Sequence, residues 1–154
     1  MPLVGGHEAV VKILLARDQA NPDKPDNHGS TPLSLAAEHG HEDVVKILLG
    51  RPEVNPENLD NDGDTPLSCA AYSGCEEVVK ILLEQEGVNP DNPNITGQTP
   101  LSYAACQGHE GVVKILLAQE EVNPNKPDNS GQTPLMHACS YPRLSESHRA
   151  TTAS

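Results

Sequence analysis

The sequence contains neither tryptophan nor phenylalanine, and tyrosine, which occurs three times, is its only large aromatic residue. A core built on aromatic side chains is therefore excluded, and the packing must come from alanine and aliphatic side chains. At 154 residues the chain has the length of one domain.

Positive charge is also scarce. Ten Lys and Arg residues face 22 Asp and Glu residues, which gives a net charge of −12 at pH 7. This balance argues against binding to nucleic acid or to an anionic membrane surface. No apolar run approaches the length of a membrane span, and the N-terminus does not resemble a secretory signal. We therefore expect a cytoplasmic protein, with the nucleus as the alternative.

The spacing of the chemically reactive residues does not indicate a catalytic or metal site. The four cysteines form no Cys-x-x-Cys pair, and disulfides are rare in the cytosol, so we expect reduced thiols. The run 60–64 resembles a calcium loop, but its glycine is fourth rather than sixth and no glutamate closes it. It is better interpreted as a solvated turn. His137 and Cys106 lack the further partners that a metal ion or a Cys–His nucleophile needs. We predict no catalytic residue, no cofactor and no metal, and thus no enzyme.

What the chain does contain is one stretch written four times. Thr-Pro-Leu-Ser-x-Ala-Ala starts at 31, 65 and 99 and returns in altered form at 133, so the spacing is 34 residues. A second stretch, Gly-His-Glu-x-Val-Val-Lys-Ile-Leu-Leu or a close variant, starts at 6, 40, 74 and 108. A fixed period of this length is typical of stacked-repeat proteins, in which each unit buries its faces against its neighbours.

Each part of the unit has a physical reason. Thr31 suits the N-cap of a first helix and Pro32 its first position, while Gly40 suits its left-handed C-terminus. The second helix is apolar almost all round and is therefore expected to be covered on both sides. An Asp/Asn/Gly-rich turn follows it. Glutamate stands four residues before lysine in each second helix, which predicts the ion pairs Glu8–Lys12, Glu42–Lys46, Glu76–Lys80 and Glu110–Lys114.

These motifs resemble the ankyrin repeat over about residues 5–141. Two departures stand out: Ser34, Ser68 and Ser102 replace the usual histidine, which weakens or removes its link between neighbouring repeats, and the unit is one residue longer than usual. The Val-Asn-Pro loops and the Thr-Pro-Leu-Ser spelling look similar to ankyrin arrays of filamentous fungi, often attached to receptor-like ATPases. The resemblance implies an all-α solenoid of helix–turn–helix units with projecting β-turn fingers. We expect an ankyrin domain over 1–141, made of a half repeat 1–28, full repeats at about 29–62, 63–96 and 97–130 and a half repeat 131–141, followed by a disordered tail 142–154.

The positions that vary between units are the candidate binding residues. In ankyrin proteins the variable face of the first helix lines the concave surface beside the turn tips, and all three tyrosines of this chain fall there. Tyrosine is enriched at binding hot spots, and we expect Tyr72 and Tyr103 to be substantially exposed. The predicted surface comprises Leu35, Glu38, His39, Cys69, Tyr72, Ser73, Tyr103, Cys106, Gln107, His137 and Tyr141 of the first helices and His28, Asp62, Asp64, Ile95 and Thr96 of the tips.

The resemblance and this variation favour a protein-binding module whose partner has a neutral or basic surface. Two alternatives remain open: the variable positions drift without function, or the array is used end-on as an assembly segment of a larger receptor or signalling protein. Both ends lack the polar capping repeat that solenoids usually need. We expect a monomer in which end-on self-association is possible.

Overall fold

The computed structural model describes residues 7–140, and the predicted tail at 142–154 lies outside this range, as does Tyr141. Within it the chain forms eight α-helices, none of them long and apolar enough to cross a membrane. They are α1 (Glu8–Leu15), α2 (Pro32–Glu38), α3 (Glu42–Leu49), α4 (Pro66–Ser73), α5 (Glu76–Leu83), α6 (Pro100–Gln107), α7 (Glu110–Leu117) and α8 (Pro134–Ser140).

The helices stack in two layers. The first helices α2, α4, α6 and α8 pack side by side in one layer, and the second helices α1, α3, α5 and α7 form the other. Within a unit the two helices also pack on each other, as in α2 with α3, α4 with α5 and α6 with α7. This arrangement confirms the predicted all-α solenoid, whereas the exact repeat boundaries stay predictions.

The first helices begin as the sequence predicts. The hydroxyl oxygen of Thr31 accepts the N–H of Ser34 at 3.2 Å, and Thr65 and Thr99 cap their own helices in the same way. The serine hydroxyls bond back within their own unit: that of Ser34 donates to the carbonyl oxygen of Thr31 at 2.9 Å. A histidine at this position would link neighbouring repeats, whereas the serine hydroxyl forms a hydrogen bond at the start of its own helix.

The predicted glutamate–lysine pairs form only in part. Lys12 pairs with Glu8 at 2.6 Å and Lys114 pairs with Glu110 at 2.8 Å, but Lys80 pairs with Glu77 at 2.8 Å rather than with Glu76. The carboxylate of Glu76 instead lies against Gly111 in the neighbouring helix α7, where a Cβ would collide with it.

The core runs through the whole stack as one cluster of aliphatic and alanine side chains. Leu33, Ala36 and Ala37 are buried in α2, as are their counterparts Leu67, Ala70 and Ala71 in α4. The second helices contribute Val45, Leu48, Val78, Val79, Leu82, Val112 and Leu116.

The turns between units form a row of fingers, each built around one Asx side chain. Oδ1 of Asp60 accepts the N–H groups of Asp62 and Asp64, both at 2.9 Å, and Asp26, Asn94 and Asp128 do the same in their fingers. The run at 60–64 is thus a turn whose first carboxylate is committed to backbone donors.

One backbone hydrogen bond joins each finger to the next. The N–H of Asn61 donates to the carbonyl oxygen of His28 at 2.9 Å, and the same bond recurs from Ile95 to Asp62 and from Asn129 to Thr96. Gly29 permits this approach: its φ is +78°, and a Cβ there would lie 2.8 Å from the backbone nitrogen of Asn61. The fingers are therefore held in a fixed row beside the first helices.

Candidate functional site

A pocket of about 320 Å³ opens between the first-helix layer and the row of fingers. Three consecutive units contribute to it, because α2, α4 and α6 each present side chains next to the fingers that precede them. The lining residues are Glu38 and Ser34 from α2, Ser68, Cys69 and Tyr72 from α4, Tyr103 from α6, and His28, Ser30, Asp60, Asp62 and Asp64 from the turns.

Two tyrosines from neighbouring units form one wall of this pocket. The rings of Tyr72 and Tyr103 meet edge to face, with centroids 5.5 Å apart and planes at 89°, a geometry that aromatic pairs favour. Tyr72 is 48% exposed. Tyr103 is only partly exposed, and Nδ2 of Asn94 donates to its hydroxyl oxygen at 2.8 Å. The wall is therefore fixed on the Tyr103 side and accessible on the Tyr72 side.

Asp64 forms the polar floor beside Tyr103. The phenol of Tyr103 donates to Oδ2 of Asp64 at 3.0 Å, while Oδ1 is enclosed and accepts no hydrogen bond from the described residues. The pKa of Asp64 is raised to about 6, mainly by burial; the Tyr103 hydrogen bond opposes this shift, and the charges of Asp60 and Asp62 contribute to it. When ionised, this carboxylate adds a negative charge beside the two tyrosines.

The pocket is negatively charged throughout. Glu38, Asp60, Asp62 and Asp64 line it, and among residues 7–140 no lysine or arginine does. The pKa of the Cys69 thiol is raised to about 12. Burial is the main cause, and the charges of Asp64, Asp60 and Glu38 add to it. The thiolate that a nucleophile requires is therefore strongly disfavoured. The site can attract and hold a cation, but its cysteine is poorly suited to covalent chemistry.

A family model described as ankyrin repeats (3 copies) matches residues 3–94 and 86–148. The chain belongs to the ankyrin-repeat family. No curated protein matches it. Members of this family are generally protein–protein interaction modules and typically not enzymes, so the array is a binding protein in the general sense.

The ankyrin array brings together seven of the predicted binding residues: His28, Glu38, Asp62, Asp64, Cys69, Tyr72 and Tyr103 all line the pocket. Leu35 and His39 lie elsewhere, in a separate cavity at the N-terminal end of the described residues. Ser73, Ile95, Thr96 and Gln107 are exposed and Cys106 is partly buried, but none of them lines the pocket. Tyr141 falls outside the described residues.

Two expectations about exposure are wrong. His137 is only 3% exposed, and its Nε2 lies 2.9 Å from Oδ2 of Asp128. The backbone N–H of Gln132 is the main cause of the lowered pKa of Asp128, with further contributions from Ser130 and His137. His137 therefore fastens its helix to the finger and offers little binding surface. Tyr103 does the same through Asn94, nine residues earlier in both cases, and is correspondingly less exposed than expected.

Sequence comparison between units missed several residues that build the site. Asp60, Ser30, Ser34 and Ser68 line the pocket, and Asn94 orients Tyr103. The predicted surface was taken from positions that vary, whereas positions 26, 60, 94 and 128 are Asp or Asn in every unit. In two units this Asx also pairs with the helix residue nine positions later, Asn94 with Tyr103 and Asp128 with His137.

Proposed function

We propose that this ankyrin array binds another protein by holding a basic side chain of that partner in the pocket beside Tyr72. The observation that carries the proposal is the Tyr72–Tyr103 pair next to four carboxylates, with no lysine or arginine among the described lining residues. A cation is attracted both by carboxylates and by the faces of aromatic rings.

The dimensions of the pocket support a side chain rather than a folded element as the occupant. Its volume of about 320 Å³ lies at the lower end of the range for ligand pockets. The exposed half of Tyr72 offers contact area at low entropic cost. A guanidinium group fits best, because its planar fork can stack on the Tyr72 ring while donating to carboxylate oxygens of the pocket lining.

The binding test uses two labelled peptides that differ in one side chain. One carries arginine within a Gly/Ser sequence, and the matched peptide carries citrulline, which keeps the shape and loses the charge. We expect the arginine peptide to bind more tightly, and its affinity to fall as salt rises. Equal affinity for both peptides would contradict the proposal.

The protein variants locate the binding. Tyr72→Ala should weaken the arginine peptide by about 2 kcal/mol or more, roughly thirtyfold. Leu59→Ala is the matched control, since Leu59 is exposed and does not line the pocket; it should bind as the parent does. If Tyr72→Ala binds the arginine peptide as tightly as the parent does, the peptide contacts a different surface of the protein.

The acidic composition and the four free cysteines support a further proposal, that the protein works in the cytoplasm or nucleus. Imaging of the tagged full chain tests it, and a signal confined to the secretory pathway would contradict it.

A further inference from the structure

Apolar surface is uncovered at both ends of the described stack. At the N-terminal end a cavity of about 560 Å³ lies between α1 and α2, and its lining includes Val11, Leu14, Leu35 and Leu48. At the other end a cavity of about 400 Å³ lies between α7 and α8, and its lining includes Val113, Leu117 and Leu135. Both cavities have mainly apolar walls.

Each cavity lies where the repeating pattern places a helix. Among the described residues, α1 is a second helix whose own unit has no first helix, and α8 is a first helix whose own unit has no second helix. In the complete units these two kinds of helix pack on each other. What each end lacks is the kind of helix that the other end presents.

The uncovered side chains have the identities of core residues. Leu14 is 60% exposed, whereas its counterparts Leu48, Leu82 and Leu116 are at most 2% exposed. Leu135 is 72% exposed, whereas Leu33, Leu67 and Leu101 are also at most 2% exposed. These leucines are the side chains that a neighbouring unit buries everywhere else in the stack.

We propose that copies of this chain associate head to tail, with α8 of one copy and α1 of the next together forming a complete ankyrin unit. In this arrangement α8 fills the cavity beside α2 of the next copy, and that copy's α1 fills the cavity beside α7. The shared unit reads Thr-Pro-Leu-Met-His-Ala-Cys-Ser from 133–140 of one copy and His-Glu-Ala-Val-Val-Lys-Ile-Leu-Leu from 7–15 of the other. The internal unit at 99–117 supplies the template, because α6 and α7 pack on each other with the same spelling at most positions.

Such an interface joins two different faces, so an open assembly of any size keeps one free head and one free tail. Association then continues beyond a dimer, into a ring or an open filament. The net charge of −12 on each copy opposes association, and salt screens this repulsion. Self-association should therefore strengthen with salt, the opposite of cation binding in the Tyr72 pocket, on which this inference does not depend.

The decisive experiment mixes two variants. Leu14→Glu places a charge in the head and Leu135→Glu places one in the tail. Both positions are mostly exposed, so both variants should keep the far-ultraviolet circular dichroism of the parent. In sedimentation velocity we expect the parent to grow in mean mass with concentration and each variant alone to associate at least about tenfold more weakly. The mixture should form a one-to-one dimer, because one intact head meets one intact tail, and nothing larger.

Leu59→Glu is the matched control, since Leu59 is a half-exposed leucine away from both ends; it should associate as the parent does. A parent that stays monomeric at all concentrations overturns the proposal and leaves both faces to a different protein. Association of the parent that neither end variant weakens, or end variants that fail to pair when mixed, also overturn it.

Discussion

The phenol of Tyr103 in α6 donates a 3.0 Å hydrogen bond to Asp64, which stands at the start of the preceding unit. The two residues are 39 positions apart in sequence, so this contact crosses a repeat boundary. Because Asn94 also donates to the same phenol, the ring that meets Tyr72 is held from two sides. One hydroxyl group thus ties the aromatic wall of the pocket to its acidic floor.

Tyr103→Phe tests this tie. The variant keeps the ring and loses both hydrogen bonds, so we expect the free energy of unfolding to fall by about 1–2 kcal/mol. Because the phenol opposes the burial-driven rise in the pKa of Asp64, that pKa should rise above its value in the parent. Carbon-detected NMR titration of the Asp64 carboxyl group and urea unfolding measure the two effects. Tyr72→Phe is the control. If the pKa of Asp64 in Tyr103→Phe equals that in the parent, the phenol does not oppose the rise in this pKa.

Asp64→Asn tests the effect of pH on stability. The pKa of Asp64 rises from an ordinary 3.8 to about 6 on folding, so the folded state binds the proton more tightly than the unfolded chain. The stabilisation from the protonated form is complete below pH 3.8 and is lost as pH rises through about 6. Asparagine cannot ionise, so the stability of Asp64→Asn relative to the parent should improve between pH 4 and pH 7. Urea unfolding at both pH values measures the difference, and a difference independent of pH would refute the shift.

Leu82→Ala and Leu14→Ala test the stacking of the units. Leu82 is fully buried in α5 and Leu14 is mostly exposed in α1. Truncation at Leu82 leaves a cavity and should cost about 2–5 kcal/mol. The same change at Leu14 should cost distinctly less in dilute solution. Equal losses in urea titrations would be incompatible with a stack whose end is uncovered.

Ser68→His restores the residue that is usual for the family. Ser68 is buried, its N–H is capped by Thr65, and its side chain borders the pocket, so an imidazole can extend into open space. We expect the variant to fold and to gain about 0.5–1.5 kcal/mol from a new hydrogen bond. Thermal or urea unfolding decides the question: a marked loss of stability would mean that the 34-residue unit has no room for this side chain.

The helices could be predicted from the sequence because their signals are local. Thr31, Pro32 and Gly40 act within a few residues of where they stand, and the 34-residue period carries the same prediction to every unit. The pocket could be predicted only in outline. Its acidic and aromatic residues other than Asp60 lie at positions that vary, but the bond from Tyr103 to Asp64 depends on how two units meet.

His137 is a second residue whose environment could not be predicted from the sequence. Its position varies between units, which predicted a surface residue. The contact between His137 and Asp128, however, makes burial of the imidazole favourable. Variation between repeats identifies positions where the fold accepts different side chains. It does not distinguish a side chain that faces a partner from one that has found a hydrogen bond inside its own unit.

The single backbone bond between adjacent fingers bears on how such a chain can change in length. Asn61, Ile95 and Asn129 donate it from the same place in three successive units, and the acceptor is a carbonyl group, which every residue has. A duplicated segment of 34 residues would therefore arrive with its donor and its acceptor already in register. An insertion or deletion of any other size within a finger would shift donor against acceptor, so gene duplication can lengthen or shorten this array in whole repeats more readily than in single residues.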